Sequence, residues 1–372
     1  VFTDFDDALP DWRRLADDRA MATPFSHPGW IEAFHRHAGG PMGEIPAIIV
    51  GRDDNAVPAF VLPFAIRRVR GLAMASFFGG SHASLNLGLW RRNTIAGFSA
   101  ERLRDALVRA AAVAHIDLYT LRNMPLCWEG DDNPFAHLSH QRGADDVYRL
   151  DIGGRSGDET LKACMSGATR STLRSKEKKL AVLDGYRYFR AATTTEADRI
   201  LDAFLVQKAA RLAEQGIDNV FAEPGVEDFL RATAHAGLAE GRPIMELHAL
   251  EGGGEVLAMV GGLSDGSRFT TMINSYTLGE YGRWSPGLII INHVVRHFAD
   301  QGLKIFDLGM GYAPYKQFFC KEIEPLVDAV VPVTAKGHAA AIGLRAMVAA
   351  KRFIKTTPAL WNAVQKLRRL RA

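Results

Sequence analysis

Arg283-Trp284-Ser285-Pro286-Gly287 stands between a strand and a helix, and the reading of the whole chain turns on it. Upstream, Arg268 to Tyr276 alternates as a strand does; downstream, residues 288–298 are apolar at helical spacing. Ser285 reads as the N-cap and Pro286 as the first helical residue, which leaves the backbone N–H groups of residues 287–289 pointing out of the helix start. A helix start of that kind suits a phosphate-sized anion. Ser-Pro also opens many purely structural helices, so the surroundings have to decide. They supply a second strand at 304–308 and then Gly309-Met310-Gly311-Tyr312-Ala313-Pro314-Tyr315-Lys316-Gln317-Phe318-Phe319, a turn with two tyrosines.

The chain reads as doubled. Residues 45–65 give strand, Asp-Asp-Asn turn, strand, followed by a helix at 101–114 and a strand at 116–121; residues 245–277 give three strands, followed by the helix and strand just described. Strands alternating with helices and hairpins favour α+β or α/β layers over a helical bundle. The Gly-rich stretch 151–158 is the expected boundary. In the first half Trp90-Arg91-Arg92-Asn93-Thr94 takes the place of the 283–287 loop without the Ser-Pro start, so the ligand site is expected in the second half alone.

Composition bounds the class. The 372 residues, 47% hydrophobic and 23% charged, suit a globular enzyme of about two domains. Cys127, Cys164 and Cys320 are odd in number and far apart, which indicates neither a disulfide framework nor a zinc site and points to a reduced compartment. Residues 1–18 carry six aspartates and no apolar block, and no run approaches the roughly 18 apolar residues of a membrane span, so the expectation is a cytoplasmic protein. Net charge is +3, yet residues 329–372 hold nine Lys or Arg and no acid. Ile342, Met347, Val348, Phe353 and Ile354, then Leu360, Trp361, Val364 and Leu367 beyond Thr356-Thr357-Pro358, give two short amphipathic helices in this tail. Two readings stay open: a helix drawn to an anionic membrane surface, each cation contributing about 1 kcal/mol, or a helix pair packed on the body with a solvated basic face.

The segment SPGLIIINHVVRHFADQGLKIFDLGMGYAPYKQFF (residues 285–319) resembles the closing part of GNAT acyltransferases of the CelD-like branch, named for cellulose biosynthesis. Ser166, Arg170, Leu173, Arg174, Lys178, Lys179, Leu180 and Gly185 resemble that branch's basic helix, and the likeness runs over roughly residues 20–330. It implies tandem GNAT-like domains, as in Fem-type peptidyltransferases: mixed central sheets flanked by helices, with residues 1–150 a degenerate first domain, 151–335 the domain holding acyl-CoA, and 336–372 the basic tail. The implied activity is N-acyl transfer from acetyl-CoA or a longer acyl-CoA, with no metal, to an amine-bearing sugar or lipid-linked saccharide of envelope or exopolysaccharide synthesis. The alternatives are an aminoacyl-tRNA-dependent Fem-like transferase and a non-catalytic scaffold. No RNA-binding signature accompanies the basic residues, so nucleic acid is the less favoured partner.

A thioester is already activated, so the enzyme has only to bind the pyrophosphate arm, align the acceptor, stabilise the oxyanion and protonate the thiolate. Arg283, Ser285, Gly287 and Leu288 are the candidate donor-binding residues. Tyr312 or Tyr315 is the candidate proton donor, with Tyr315 preferred for the adjoining Lys316. Asp307 either acts as base toward the acceptor or bonds the turn at Gly309. Arg170, Arg174 and Lys178, one stripe of a helix read over 161–183, are candidates for an acceptor phosphate, with Tyr276 and Lys316 lining the substrate channel. His293 and His297 share a helix face, but without an H-E-x-x-H pattern they read as packing.

Overall fold

The computed structural model of the chain describes residues 1–17, 20–357, 359, 360 and 364. Two compact units emerge, one comprising Val1–Asp146 and Pro325–Trp361, the other built on Val147–Glu324. Residues 325–335, read from sequence as part of the second domain, therefore group with the first, and so do the described residues of the tail up to 360.

In the first unit, strands β1 (Ile45–Arg52), β2 (Pro58–Val69) and β3 (Leu72–Phe77) form an antiparallel meander. Asp53 makes the first turn, its carboxylate accepting the N–H groups of Asn55 and Val57 at 3.0 Å each. Helix α1 (Ala100–Ala114), capped by Ser99, then leads to β4 (Leu118–Pro125), which pairs parallel to β3.

The second unit repeats that order. From β5 (His140–Asp151) the chain enters two helices, α2 (Gly157–Cys164) and α3 (Gly167–Leu180), where the sequence read one. The break falls at Met165-Ser166, because the Ser166 hydroxyl accepts the Thr169 N–H at 3.1 Å and so caps a new helix. Strand β6 (Arg187–Arg190) and helix α4 (Thr194–Glu214) follow, then the meander β7 (Glu246–Gly252), β8 (Glu255–Ser264) and β9 (Arg268–Tyr276), helix α5 (Pro286–Asp300) and β10 (Ile305–Met310). The sheet order is β6-β7-β8-β9-β10-β5, antiparallel except that β10 runs parallel to β9. Helix α5 buries Ile290, Val294, Val295 and Phe298 on this sheet, with Phe298 stacked 4.2 Å from Phe269. Aromatic and branched side chains at that spacing seat the helix, each contributing about 1.5–3 kcal/mol of burial.

The chain end returns to the first unit. Residues 326–332 of β11 (Glu322–Pro332) pair antiparallel with β4, and helix α6 (Ala335–Thr356) buries Gly337, Ala341 and Val348. Three of its cations are engaged: Lys336 with Asp117 at 2.9 Å, Arg345 with Val330 O at 2.9 Å, and Lys355 with Asp145 at 2.5 Å. Ile342 and Phe353 nevertheless remain 72% and 63% exposed, so the packed reading holds for one face only. The second tail helix read over residues 360–367 lies outside the described residues except at positions 360 and 364. No described helix is long and apolar enough to cross a membrane.

Candidate active site

Strands β9 and β10 are hydrogen-bonded over three rungs only, Arg268 with Ile305, Phe269 with Phe306 and Thr270 with Asp307. Beyond Thr270, β9 continues to Tyr276 without that partner, and the parting opens a cavity of about 270 Å³. Its walls include Met259, Val260, Leu288, Ile290 and Ile291, with Asn274, Ser275, Tyr276, Ser285, Gly287 and Tyr315 supplying the polar and aromatic part. Of the candidate residues, the structure brings Tyr276, Ser285, Gly287, Leu288 and Tyr315 to one place.

Asp307 holds the rungs together and does not line the cavity. It is fully buried; its Oδ2 accepts Arg268 Nε and Thr270 Oγ1 at 2.7 Å each, and its Oδ1 accepts the Gly309 N–H at 2.9 Å. Arg268 reaches on to Glu324 at 2.8 Å. A carboxylate with both oxygens taken in this way is a clamp, so of its two readings the turn-bonding one describes the geometry. Lys316 is likewise buried, its ammonium donating to the carbonyls of Gly309, Met310 and Gly311 at 2.9–3.0 Å. It closes the turn and does not line the cavity. Tyr312 is 64% exposed and lies off the cavity, which leaves Tyr315 as the tyrosine at the site.

Tyr315 receives a hydrogen bond from Asn274 Nδ2 at 3.0 Å, and burial raises its pKa above the usual phenol value. It is therefore protonated at neutral pH, and the Asn274 donor is placed to strengthen its bond when a phenolate forms. Asn274 escaped the sequence reading. The signal was its alternation with Tyr276, two residues on, which puts both on one face of β9.

The helix start departs from expectation in its hydrogen bonds. Ser285 stands at the N-cap position but in the left-handed conformation (φ 57°, ψ 49°), and its side chain makes no cap bond. Its hydroxyl instead accepts Lys176 Nζ at 2.8 Å, while its carbonyl takes the N–H groups of Leu288 and Ile289 at 3.0 and 3.2 Å. Pro286 has no N–H, so Gly287 offers the remaining donor. A Cβ at Gly287 would lie 2.9 Å from the Tyr276 ring, which is why glycine stands there. Arg283 belongs to a short 3₁₀ turn, Glu280–Trp284; it is exposed, its guanidinium 5.1 Å from the Trp284 ring, and it is not in the cavity wall.

The basic helix divides. Lys176 reaches Ser285 at the cavity rim, whereas Arg170 and Arg174, read as candidates for an acceptor phosphate, border a hollow of about 20 Å³ with Asp158 and Arg296. That hollow takes little more than a water. Lys178 is exposed. His293 bonds Glu177 at 2.5 Å and stacks on Tyr188 at 4.8 Å, while His297 faces His248 at 5.1 Å, so the two histidines serve separate partners. In the first unit Arg91 pairs with Asp53, and Arg92 with Glu129 and Asp131, which ties up the cations that stand in the corresponding place.

Residues 167–317 match the family model described as acetyltransferase (GNAT) domain, which takes in α3 through the Tyr315 turn. No curated protein matches the chain. Among solved structures, FemX aligns with a TM-score of 0.59 at 11% identity, over 86% of this chain and 95% of that one. The C-terminal domain of a candidate lysylphosphatidylglycerol synthetase from Agrobacterium fabrum aligns at 0.51 and 13% identity, over 92% and 96%. L-PGS from Bacillus licheniformis aligns at 0.50 and 12%, over 87% and 97%. These likenesses establish a shared mixed α/β, GNAT-like fold; chemistry has to be argued from the site.

Proposed function

We propose that the chain is an N-acyltransferase that takes its acyl group from a coenzyme A thioester. The observation that carries this reading is the cavity between the parted strands, walled by five aliphatic side chains and containing no acidic residue, with Tyr315 and Asn274 on its polar side. Its volume suits the thioester end of the donor and an acyl chain. The pyrophosphate arm is left to the Gly287 N–H, Lys176 and Arg283 at the helix start. The acceptor amine attacks the thioester carbonyl, the N–C bond forms as the C–S bond breaks, the departing thiolate takes the Tyr315 proton, and the amine releases its own to solvent. Asp307 has no part in these steps.

The absence of a carboxylate in the wall also favours acyl-CoA over an aminoacyl-tRNA, since an aminoacyl ammonium would be desolvated there without a counter-charge. For the acceptor we retain an amine-bearing sugar or lipid-linked saccharide of envelope synthesis, on the CelD-like resemblance and the cationic rim. Calorimetric titration with acetyl-CoA and a longer acyl-CoA, repeated on Gly287→Val, tests the donor. Saturable binding that the variant loses supports the reading. A folded parent that binds neither thioester overturns it, and binding of aminoacyl-tRNA in their place moves the assignment to the Fem-like alternative.

A further inference from the structure

Away from the cavity, the far end of α5 covers a cluster that the transfer reaction does not use. Glu246 and His248, two residues apart, lie on one face of β7. His297 comes down on that face from α5, its ring centroid 5.1 Å from that of His248. Glu246 Oε2 is 3.9 Å from His248 Nε2, and one donor atom from each of the three residues falls within 4.8 Å of the others. His248 is fully buried; its Nδ1 is 2.9 Å from the Tyr188 hydroxyl, and its Nε2 has no hydrogen-bond partner.

We propose that Glu246, His248 and His297 bind a divalent transition-metal cation, Zn²⁺ by the chemistry of the donor set, which pins β7 to α5. Leaving a buried ring nitrogen unpaired is costly, and a cation at this point removes that cost. The Tyr188 hydroxyl accommodates the tautomer a ligand needs: with Nδ1–H donating to the phenol oxygen, Nε2 presents its lone pair to the cluster, the arrangement that supports a histidine ligand. Two imidazole nitrogens and one carboxylate oxygen match zinc, whose bonds of about 2.0–2.2 Å put tetrahedral ligands about 3.3 Å apart. Side-chain rotations of about an ångström bring the present spacing to that value. Gln301 Nε2 donates to His297 Nε2 at 3.0 Å, a bond that has to turn or give way when His297 ligates.

Arg190 is the opposing charge. It holds Glu246 Oε2 at 3.0 Å, so the cation has to share that carboxylate, and the affinity expected is micromolar, on the order of −8 kcal/mol. Three protein ligands leave a position for water. The site is about ten residues along α5 from Gly287, roughly 15 Å, so the ion frames the cavity without touching the acyl group. Helix spacing could not indicate this cluster, because the two partners proposed for His297 come from β7.

The 372-residue chain without a polyhistidine tag, stripped with chelator and dialysed, is titrated with ZnCl₂ by calorimetry and followed by thermal unfolding. Co²⁺ serves as a visible probe of tetrahedral coordination. The expected result is one equivalent bound, a melting temperature raised by several degrees, and at least tenfold weaker binding in both His297→Ala and Glu246→Gln, with His293→Gln binding as the parent does. Both test residues are only half-buried, so the variants fold, which circular dichroism checks. A parent that binds no stoichiometric Zn²⁺, or binding that survives in both variants, overturns the proposal. Neither result bears on the coenzyme A reading, which is tested with a different ligand.

Discussion

Tyr315 and Asp307 show how much a residue's role depends on what fills its hydrogen bonds. Tyr315 has one neighbour donor, Asn274, and an open cavity before it; Asp307 has three donors and no open side. Tyr315→Phe is therefore expected to lower turnover by about 100-fold, the usual yield of a positioned general acid, with thioester affinity largely kept. Separate measurement of kcat and donor Kd checks it, and parallel losses in both would remove the proton-donor role. Asp307→Asn is expected to act on stability instead, costing about 3 kcal/mol because it leaves Arg268 and Glu324 in a broken buried network. Urea unfolding measures this. A fall in turnover per folded molecule with unchanged stability would restore Asp307 as a catalytic group. Beyond the turn bond to Gly309, little local distinguishes the two residues in sequence: the side-chain donors to Asp307, Arg268 and Thr270, are distant in the chain, and only the fold brings them together.

At the level of elements, β9, α5 and β10 were legible because each has a clear hydrophobic period bounded by a turn or a Pro. What periodicity hides is an interruption that keeps the phase. Ser166 starts a new helix inside a pattern that reads as one, and Ser285 occupies an N-cap position while spending its hydroxyl on Lys176. The helix start consequently offers one backbone donor where the sequence promised three, and Lys176 supplies a cation that the candidate residues did not include. Gly287 is the element-scale test of the cavity. Gly287→Val drives its side chain into Tyr276, already 2.9 Å from a Cβ, and pushes that ring into the donor space. The expected outcome is at least tenfold weaker acyl-CoA binding together with about 1–3 kcal/mol of lost stability from overpacking. Calorimetry and urea unfolding on the same preparation separate the two effects, and unaltered binding would exclude the cavity as the donor site.

Across the whole molecule the repeat of meander, helix and parallel strand was visible as a faint echo of element order, whereas the return of residues 326–332 to β4 was not, since strand pairing at that separation leaves no periodic trace. The first unit carries the repeat without a cation free at the corresponding loop, and its contribution to the chain is measurable as stability. His82 offers a handle on it. Burial lowers its pKa from 6.5 to about 4, so the native unit holds it neutral while the unfolded chain protonates it. Between those values the unfolded state binds the extra proton, and stability falls as pH drops through the window, by roughly 2–3 kcal/mol at the acid end; above pH 6.5 the group contributes no slope. His82→Gln removes the titration and should flatten the unfolding free energy between pH 6.5 and 4 relative to the parent. Other groups titrate in acid, among them carboxylates that salt bridges hold below their usual range, but they are common to both proteins and cancel in the comparison. Identical pH profiles for parent and variant would mean that His82 is protonated in the native unit as readily as in the unfolded chain, and that its burial is relieved by a local opening of the first unit.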